Sequence, residues 1–261
     1  MQSFKDLLNF SGKNVVVTGG LGQIGYKVSR AFLEYGAQVI VADINDSGFA
    51  ALQSESGGER CRFLPFDISN LEQIPEVAKN IVNEYKQVHV WVNAAYPRTK
   101  DWGNKLEDAP LSSWDENIRS HLGGYFWTSK AILEHMKEQG SGSLINLGSI
   151  YGVVGPNFSV YEGTEMTMPV AYAAIKGAIV NLTRYFATCY GKYNVRVNSI
   201  CPGGVFADQN PRFVERYNRL TPLGRMAKAE ELAMPTVFLA ADAASYITGH
   251  TLIVDGGWTA W

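Results

Sequence analysis

Tyr172 and Lys176 stand four residues apart in PVAYAAIKGAIVNLTRYFATCYG, residues 169–191. The apolar spacing of this segment predicts a helix, which turns both side chains onto one face. A phenol beside an ammonium is a proton-transfer pair. The positive charge favours phenolate, so a tyrosine that ordinarily titrates near ~10 can exchange its proton closer to neutrality. With 13 tyrosines and 23 lysines plus arginines in the chain, one such spacing also arises by chance. Other residues must decide its meaning.

The second group is Thr18-Gly19-Gly20-Leu21-Gly22-Gln23-Ile24-Gly25, in which Gly20, Gly22 and Gly25 fit G-x-G-x-x-G. It follows an apolar β-branched run, NVVVT, and precedes a helical pattern over 22–35. Glycines there permit a tight turn and close approach of the backbone to a pyrophosphate, while a helix N-terminus offers amides and a partial positive charge. Asp43 lies 18 residues beyond Gly25, at the end of QVIVAD. A carboxylate at that point accepts hydrogen bonds from adenosine ribose hydroxyls and repels a 2′-phosphate, which favours NAD over NADP. No Arg or Lys stands in 44–48 to reverse the preference. Asp67 can either reach the adenine edge or cap a helix starting near Asn70.

These groups need a scaffold that brings them together. Strands are predicted at 14–18, 38–43, 61–66, 88–93, 142–147, 194–200 and 251–254, and helices at 22–35, 112–138, 170–191 and 228–241. Seven apolar strands alternating with helices, without an internal repeat or linker, predict one α/β domain with a Rossmann-type, doubly wound, parallel seven-stranded sheet. Such folds bind ligands at the carboxyl ends of the strands.

Composition narrows the classes of function. At 46% hydrophobic and 18% charged residues, the chain is neither disordered nor fibrous. A net charge of −2 without a run of either sign gives no footprint for nucleic acid. Cys61, Cys189 and Cys201 are too scattered for a metal site or a disulfide framework. The N-terminus lacks the apolar run of a signal peptide, and no stretch approaches the ~18 apolar residues of a membrane span. The expectation is a cytoplasmic protein acting on a small molecule, with no membrane or nucleic-acid partner and no metal.

In this order, the motifs resemble the short-chain dehydrogenase/reductase family over nearly the whole length. The matching residues are the TGGLGQIG turn, Asp43, Asp67-Ile68, Asn93-Ala94-Ala95, Ser149, Tyr172-x-x-x-Lys176, Cys201-Pro202-Gly203-Gly204 and Ile253-Val254-Asp255-Gly256-Gly257. Ile150-Tyr151-Gly152-Val153-Val154, Tyr161-Glu162-Gly163-Thr164 and Tyr172-Ala173-Ala174-Ile175-Lys176 look like the bacterial flagellin-modification (protein A type) oxidoreductases, which are associated with sugars of surface glycans. The resemblance implies an NAD-dependent oxidoreductase interconverting a secondary alcohol and a ketone, on a sugar or sugar derivative. It implies that Ser149 binds the substrate oxygen, Tyr172 transfers a proton, and Lys176 holds the nicotinamide ribose and lowers the Tyr172 pKa. The cofactor would be held by Thr18, Gly19, Gly22, Gln23, Ile24, Gly25, Asp43, Ile44, Asp67, Ile68, Asn93, Ala94, Ala95, Pro202, Gly203 and Val205. The helices at 112–138 and 170–191 would form the interface of a homodimer or homotetramer.

Four positions depart from the family pattern: Val92, Gln23, Ala207 and His121. His121 stands where the family usually places a relay asparagine, so it either substitutes through a water or packs. The departures at Val92, Ala207 and His121 leave room for an NAD-binding regulatory or scaffold protein without turnover. The spacing Gly19, Gly22, Gly25 leaves room for a nucleotide-sugar lyase or epimerase. Ser149 and Tyr172 are 23 residues apart, longer than is usual, with the extra residues at 153–168. Loops at 96–106, 153–169 and 205–221 are expected to shape the substrate pocket of the single domain spanning 1–261, with the dinucleotide site in its N-terminal half. Arg212, Arg216 and Arg219 could meet a substrate anion or form a solvated helix face.

Overall fold

The computed structural model describes residues 3–261. Seven strands, β1 (Asn14–Thr18), β2 (Gln38–Asp43), β3 (Cys61–Pro65), β4 (Val90–Asn93), β5 (Gly142–Leu147), β6 (Val195–Pro202) and β7 (Thr251–Val254), form one sheet. Their order is β3-β2-β1-β4-β5-β6-β7, and every pairing is parallel. The doubly wound Rossmann-type sheet predicted above is therefore present. The strand order reverses between β1 and β4, which opens a crevice above their carboxyl ends.

The α-helices among the described residues are α1 (Gln23–Glu34), α2 (Phe49–Leu52), α3 (Ile74–Tyr85), α4 (Leu111–Asn117), α5 (Gly123–Gln139), α6 (Val170–Tyr190), α7 (Pro211–Leu220) and α8 (Ala233–Ala240). Alternate strand residues face opposite layers. Val15, Val17, Val39 and Val41 pack with α1 and α8 residues such as Phe32 and Val237. Val16, Ile40 and Ala42 pack with Ile81, Leu133 and Ile175 from α3, α5 and α6. Helices on both faces explain why the strands are apolar runs rather than alternating patterns. A third cluster, which includes Ile150, Tyr151, Tyr161, Phe213, Tyr217 and Trp258, lies apart from the two faces.

Several predicted boundaries move. β4 starts at Val90, two residues late, and β6 runs on to Pro202, which pairs with Val254 at the strand end where a missing amide costs little. The predicted helix at 228–241 opens as a 3-10 turn, Ala229–Leu232, before α8. The helix predicted without interruption over 112–138 contains a π turn, Ile118–Leu122, between α4 and α5. Most of the segment expected as a loop at 205–221 is α7, started by Pro211 and capped by Asn210. Among the described residues no helix is long and apolar enough to cross a membrane, and no cluster of ligating side chains could hold a metal ion.

Candidate active site

The glycine turn links β1 to α1 by close backbone contact. Gly19 adopts φ +65°, and a Cβ there would lie 2.5 Å from the Ala95 Cα. A Cβ on Gly25 would lie 2.0 Å from the Gly19 carbonyl oxygen. Only glycine fits at either point. The α1 N-terminus at Gly22 has no side-chain cap, which leaves the first-turn amides for a ligand. A cleft of about 480 Å³ adjoins this turn, lined among others by Leu21, Gly22, Gln23 and Phe206. The Gln23 Nε2 donates to the Phe206 carbonyl at 2.6 Å, so the loop after β6 is tied across the turn.

At the end of β2, the Asp43 Oδ2 accepts from the Leu21 amide at 2.9 Å and its Oδ1 accepts from the Ile44 amide at 2.8 Å. The carboxylate is thus built into the glycine turn as well as facing the crevice. Ile44 is exposed beside it, whereas Ile68 is buried against the Gly124 backbone. The Asp67 Oδ1 accepts from the Ser69 amide and hydroxyl at 2.9 and 2.7 Å, closing a local turn rather than capping the helix expected near Asn70. α3 starts at Ile74 rather than near Asn70.

Two expected cofactor contacts turn inward. The Asn93 side chain is fully buried: its Nδ2 donates to Ser129 Oγ and Asn146 Oδ1, and its Oδ1 accepts from Trp91 Nε1 and Thr128 Oγ1. Asn146 continues to Thr183 on α6. Thr18 Oγ1 accepts from the Ala94 amide at 3.3 Å. These side chains brace β1, β4, β5, α5 and α6 against one another, and leave only their backbones for the crevice. Spacing alone could not show this network, because its members are polar residues on five different elements.

Ser149, Tyr172 and Lys176 converge past β5. Ser149 caps the 3-10 turn Ile150–Gly152, its Oγ accepting from the Tyr151 amide at 3.1 Å. On α6, Lys176 is buried and its Nζ donates to the Leu147 carbonyl at 2.7 Å. Burial holds its pKa down to about 7. Burial also pushes the Tyr172 phenol up, and the Ser149 hydroxyl beside it pulls it back. The expected lowering of Tyr172 by Lys176 is not among the causes of its shift: removal from water comes first for both groups and penalises the phenolate and the ammonium alike.

Three phenol rings surround the lysine, with Nζ at 5.4 Å from the centre of Tyr125, 5.6 Å from Tyr172 and 6.0 Å from Tyr96. His121 sits on the π turn, fully buried, its ring 5.3 Å from those of Tyr96 and Tyr125. Neither ring nitrogen has a hydrogen-bond partner, and burial followed by the nearby Lys176 charge pushes its pKa well below 6.5. His121 is a neutral imidazole. Tyr125, whose buried hydroxyl also lacks a partner, was not foreseen, although it follows His121 by four residues and so shares its helical face.

Tyr96 and Trp102, from the loop after β4, cover Tyr172 with edge-on rings at 5.9 and 6.1 Å. Asn117 holds that loop, its Nδ2 donating to Thr99 Oγ1 at 2.9 Å. The three arginines do not form an anion site. Arg216 and Arg212 donate to carbonyls of the 153–168 segment, and Arg219 pairs with Glu215.

A sequence profile described as enoyl-(acyl carrier protein) reductase matches residues 20–259. The chain is 33% identical to the post-translational flagellin modification protein A of Campylobacter coli, over 94% of this chain and 98% of that one. The chain belongs to the short-chain dehydrogenase/reductase family. It is thereby an enzyme of a family of nicotinamide-dependent oxidoreductases. It is also 30% identical to the galactitol 2-dehydrogenase (L-tagatose-forming) of Cereibacter sphaeroides, over 99% of each chain. A short-chain dehydrogenase of Leptospira borgpetersenii solved with bound NAD+ superposes with a TM-score of 0.86 at 32% identity, covering 99% of this chain and 96% of that one. The resemblance stated from motifs is borne out, and so is the likeness to flagellin-modification proteins. The glycine cradle, the uncapped α1 N-terminus and Asp43 fit a dinucleotide.

Proposed function

We propose that this short-chain dehydrogenase/reductase uses NAD to interconvert a secondary alcohol and a ketone on a sugar or sugar derivative, in surface-glycan or flagellin-modification metabolism. The observation that carries the reading is the convergence of Ser149, Tyr172 and Lys176 at the carboxyl edge of the sheet, beside the glycine cradle. The flagellin-modification and galactitol-dehydrogenase relatives support the sugar substrate.

The Ser149 hydroxyl orients the substrate oxygen, and the Tyr172 phenol gives a proton to it or takes one from it. Lys176 holds the nicotinamide ribose and supplies positive charge when protonated. His121, packed against the Tyr96 and Tyr125 rings, stands where the family usually has its relay asparagine and would join the proton relay through a water. Gly19, Gly22, Gln23, Ile24 and Gly25 would hold the pyrophosphate, and Asp43 the adenosine ribose. Ile44, Asp67 and Ile68 would flank the adenine. The backbones of Thr18, Asn93, Ala94 and Ala95 would line the floor, with Pro202, Gly203 and Val205 about the nicotinamide. When bound, the cofactor supplies or accepts the hydride. Asp43 favours NAD because a 2′-phosphate beside it is repelled.

The reading extends to one domain over 1–261, with the dinucleotide site in the N-terminal half and substrate loops at 96–106, 153–169 and 205–221. It includes a cytoplasmic homodimer or homotetramer, which light scattering tests. The decisive assay incubates purified protein with NAD or NADP and a panel of sugars, polyols and their keto forms, and follows the absorbance of reduced nicotinamide. Turnover of sugar alcohols with NAD is expected. Turnover restricted to non-sugar alcohols would overturn the substrate, and dinucleotide binding without any turnover would favour a scaffold.

A further inference from the structure

We infer that Arg216, seconded by Arg212, fastens the 153–168 segment onto α7, so that this side of the substrate pocket stands preassembled. Arg216 is in this sense a positioning residue for specificity.

The segment has internal order of its own. Its 3-10 turn, Phe158–Tyr161, begins at Asn157, whose Oδ1 accepts from the Ser159 amide at 3.1 Å and the Ser159 hydroxyl at 2.7 Å. The chain then reverses at Gly163, which adopts φ +67°. Thr164 Oγ1 closes the reversal by donating to the Tyr161 carbonyl at 2.7 Å. At the end of such a turn, backbone carbonyls lack partners.

The arginines supply them. Arg216 Nη1 donates to the Ser159 carbonyl at 3.3 Å and to the Glu162 carbonyl, and Arg212 Nη1 reaches the Gly163 carbonyl at 3.5 Å. A guanidinium suits this place because it offers several donors in a fixed plane, and because positive charge is favoured at a helical C-terminus. Arg212 and Arg216 are one helical turn apart, and so are Phe213 and Tyr217 below them. Tyr161 stacks on Phe213 at 5.2 Å, and Tyr217 stacks on Trp258 at 4.1 Å. Val160 and Tyr161 are buried in this cluster, and Tyr172 packs against it. The Tyr217 phenol oxygen accepts from the Gly204 amide, which fixes α7 to the turn after β6.

The segment is thus held by apolar packing on its inner side and by two arginines on its outer side. Packing alone tolerates sliding, whereas directional bonds to the carbonyls of Ser159, Glu162 and Gly163 set the position. The consequence for substrate binding rests on the oxidoreductase reaction proposed above. The fastening itself does not.

Hydrogen–deuterium exchange on the full chain tests the fastening without a substrate. In Arg216→Ala, amides of 158–164 should exchange about tenfold faster, the loss of hydrogen bonds worth roughly 1.4 kcal/mol. Amides of 96–106 should not change. Arg216→Lys, which keeps the charge but not the fork, should fall between the two. With an alcohol that turns over, KM should rise about tenfold while kcat stays within about twofold, since misplacement of a binding wall weakens substrate capture. Unchanged exchange at 158–164 would overturn the fastening. Faster exchange with unchanged KM would overturn the role in the pocket. If Arg216→Ala does not fold, Arg216→Lys and Arg212→Ala carry the same comparison. Failure of every alcohol to turn over would sink the reaction, yet exchange would still decide the fastening.

Discussion

The Lys176 ammonium donates to the Leu147 carbonyl at 2.7 Å while lying 5.6 Å from the centre of the Tyr172 ring. The lysine is only 3% exposed. Burial lowers its pKa from 10.5 to about 7, a displacement that corresponds to about 5 kcal/mol at most. Below about pH 7 the lysine is protonated in both folded and unfolded chains, and the whole cost is present. Between about 7 and 10.5 the unfolded chain holds the proton and the folded one does not, so stability rises with pH across that window. Lys176→Met should therefore be more stable than the wild type near neutrality, and the gap should close toward pH ~10. Urea midpoints at several pH values measure it. A constant gap would show that the lysine is not titrating in the folded state.

Tyr172→Phe removes the hydroxyl proposed as the proton donor without disturbing the Lys176 hydrogen bond. Turnover should fall by about 10³, within the range for loss of a general acid or base, with dinucleotide affinity unchanged. Calorimetry and initial rates on the same sample separate the two. Retained turnover would remove Tyr172 from the chemistry.

His121 gives the opposite edge of the pH profile. Its folded pKa lies well below 6.5 because of burial, with the Lys176 charge adding to the effect. As pH falls below 6.5 the unfolded chain takes up a proton that the folded imidazole refuses, so stability is lost on the acid side. His121→Phe, which can pack between Tyr96 and Tyr125, should flatten the slope of Tm against pH in that region. A slope that persists would assign the acid loss to other groups.

The seven strands, the glycine turn and the Ser149, Tyr172 and Lys176 set were legible from local patterns, since each rests on a run of residues or a short fixed spacing. What was not legible depends on distant partners. The buried face through the π turn at Ile118–Leu122 is Asn117, Ser120, His121 and Gly124, polar or small residues, so no apolar stripe marks the change of helical register. The inward turn of Asn93 follows from Asn146, Ser129 and Thr128, which approach only when β4, β5 and α5 pack. Arg212 and Arg216 looked like an anion site or a solvated face. Their carbonyl partners are about fifty residues earlier, beyond the reach of a spacing rule.

Asp43 carries two tasks. Its carboxylate accepts from the Leu21 amide at 2.9 Å, so it orders the glycine turn, and in the proposed function it also disfavours a 2′-phosphate. Asp43→Ser should weaken NAD about tenfold or more, the loss of charge-assisted hydrogen bonds, and should narrow the preference for NAD over NADP. Titration calorimetry with both dinucleotides is the measurement. Tighter binding of NADP than NAD by the wild type would contradict the role of the carboxylate.

Gln23 stands where the family often has glycine, and its side chain ties the turn to the Phe206 carbonyl at 2.6 Å. Phe206 belongs to the loop joining β6 to α7, so this hydrogen bond spans the mouth of the cleft beside the α1 N-terminus. In the proposed function, a dinucleotide seated on the turn passes that tie on entry and on exit. One neutral hydrogen bond is worth about 1 kcal/mol, which corresponds to about a fivefold change in rate when it breaks on the way in or out. Gln23→Ala should therefore both bind and release reduced dinucleotide about fivefold faster in stopped-flow experiments, with little change in affinity, because the same tie must break for entry and for exit. If release limits turnover, kcat should rise by the same factor. An unchanged release rate would mean that the loop after β6 opens independently of Gln23.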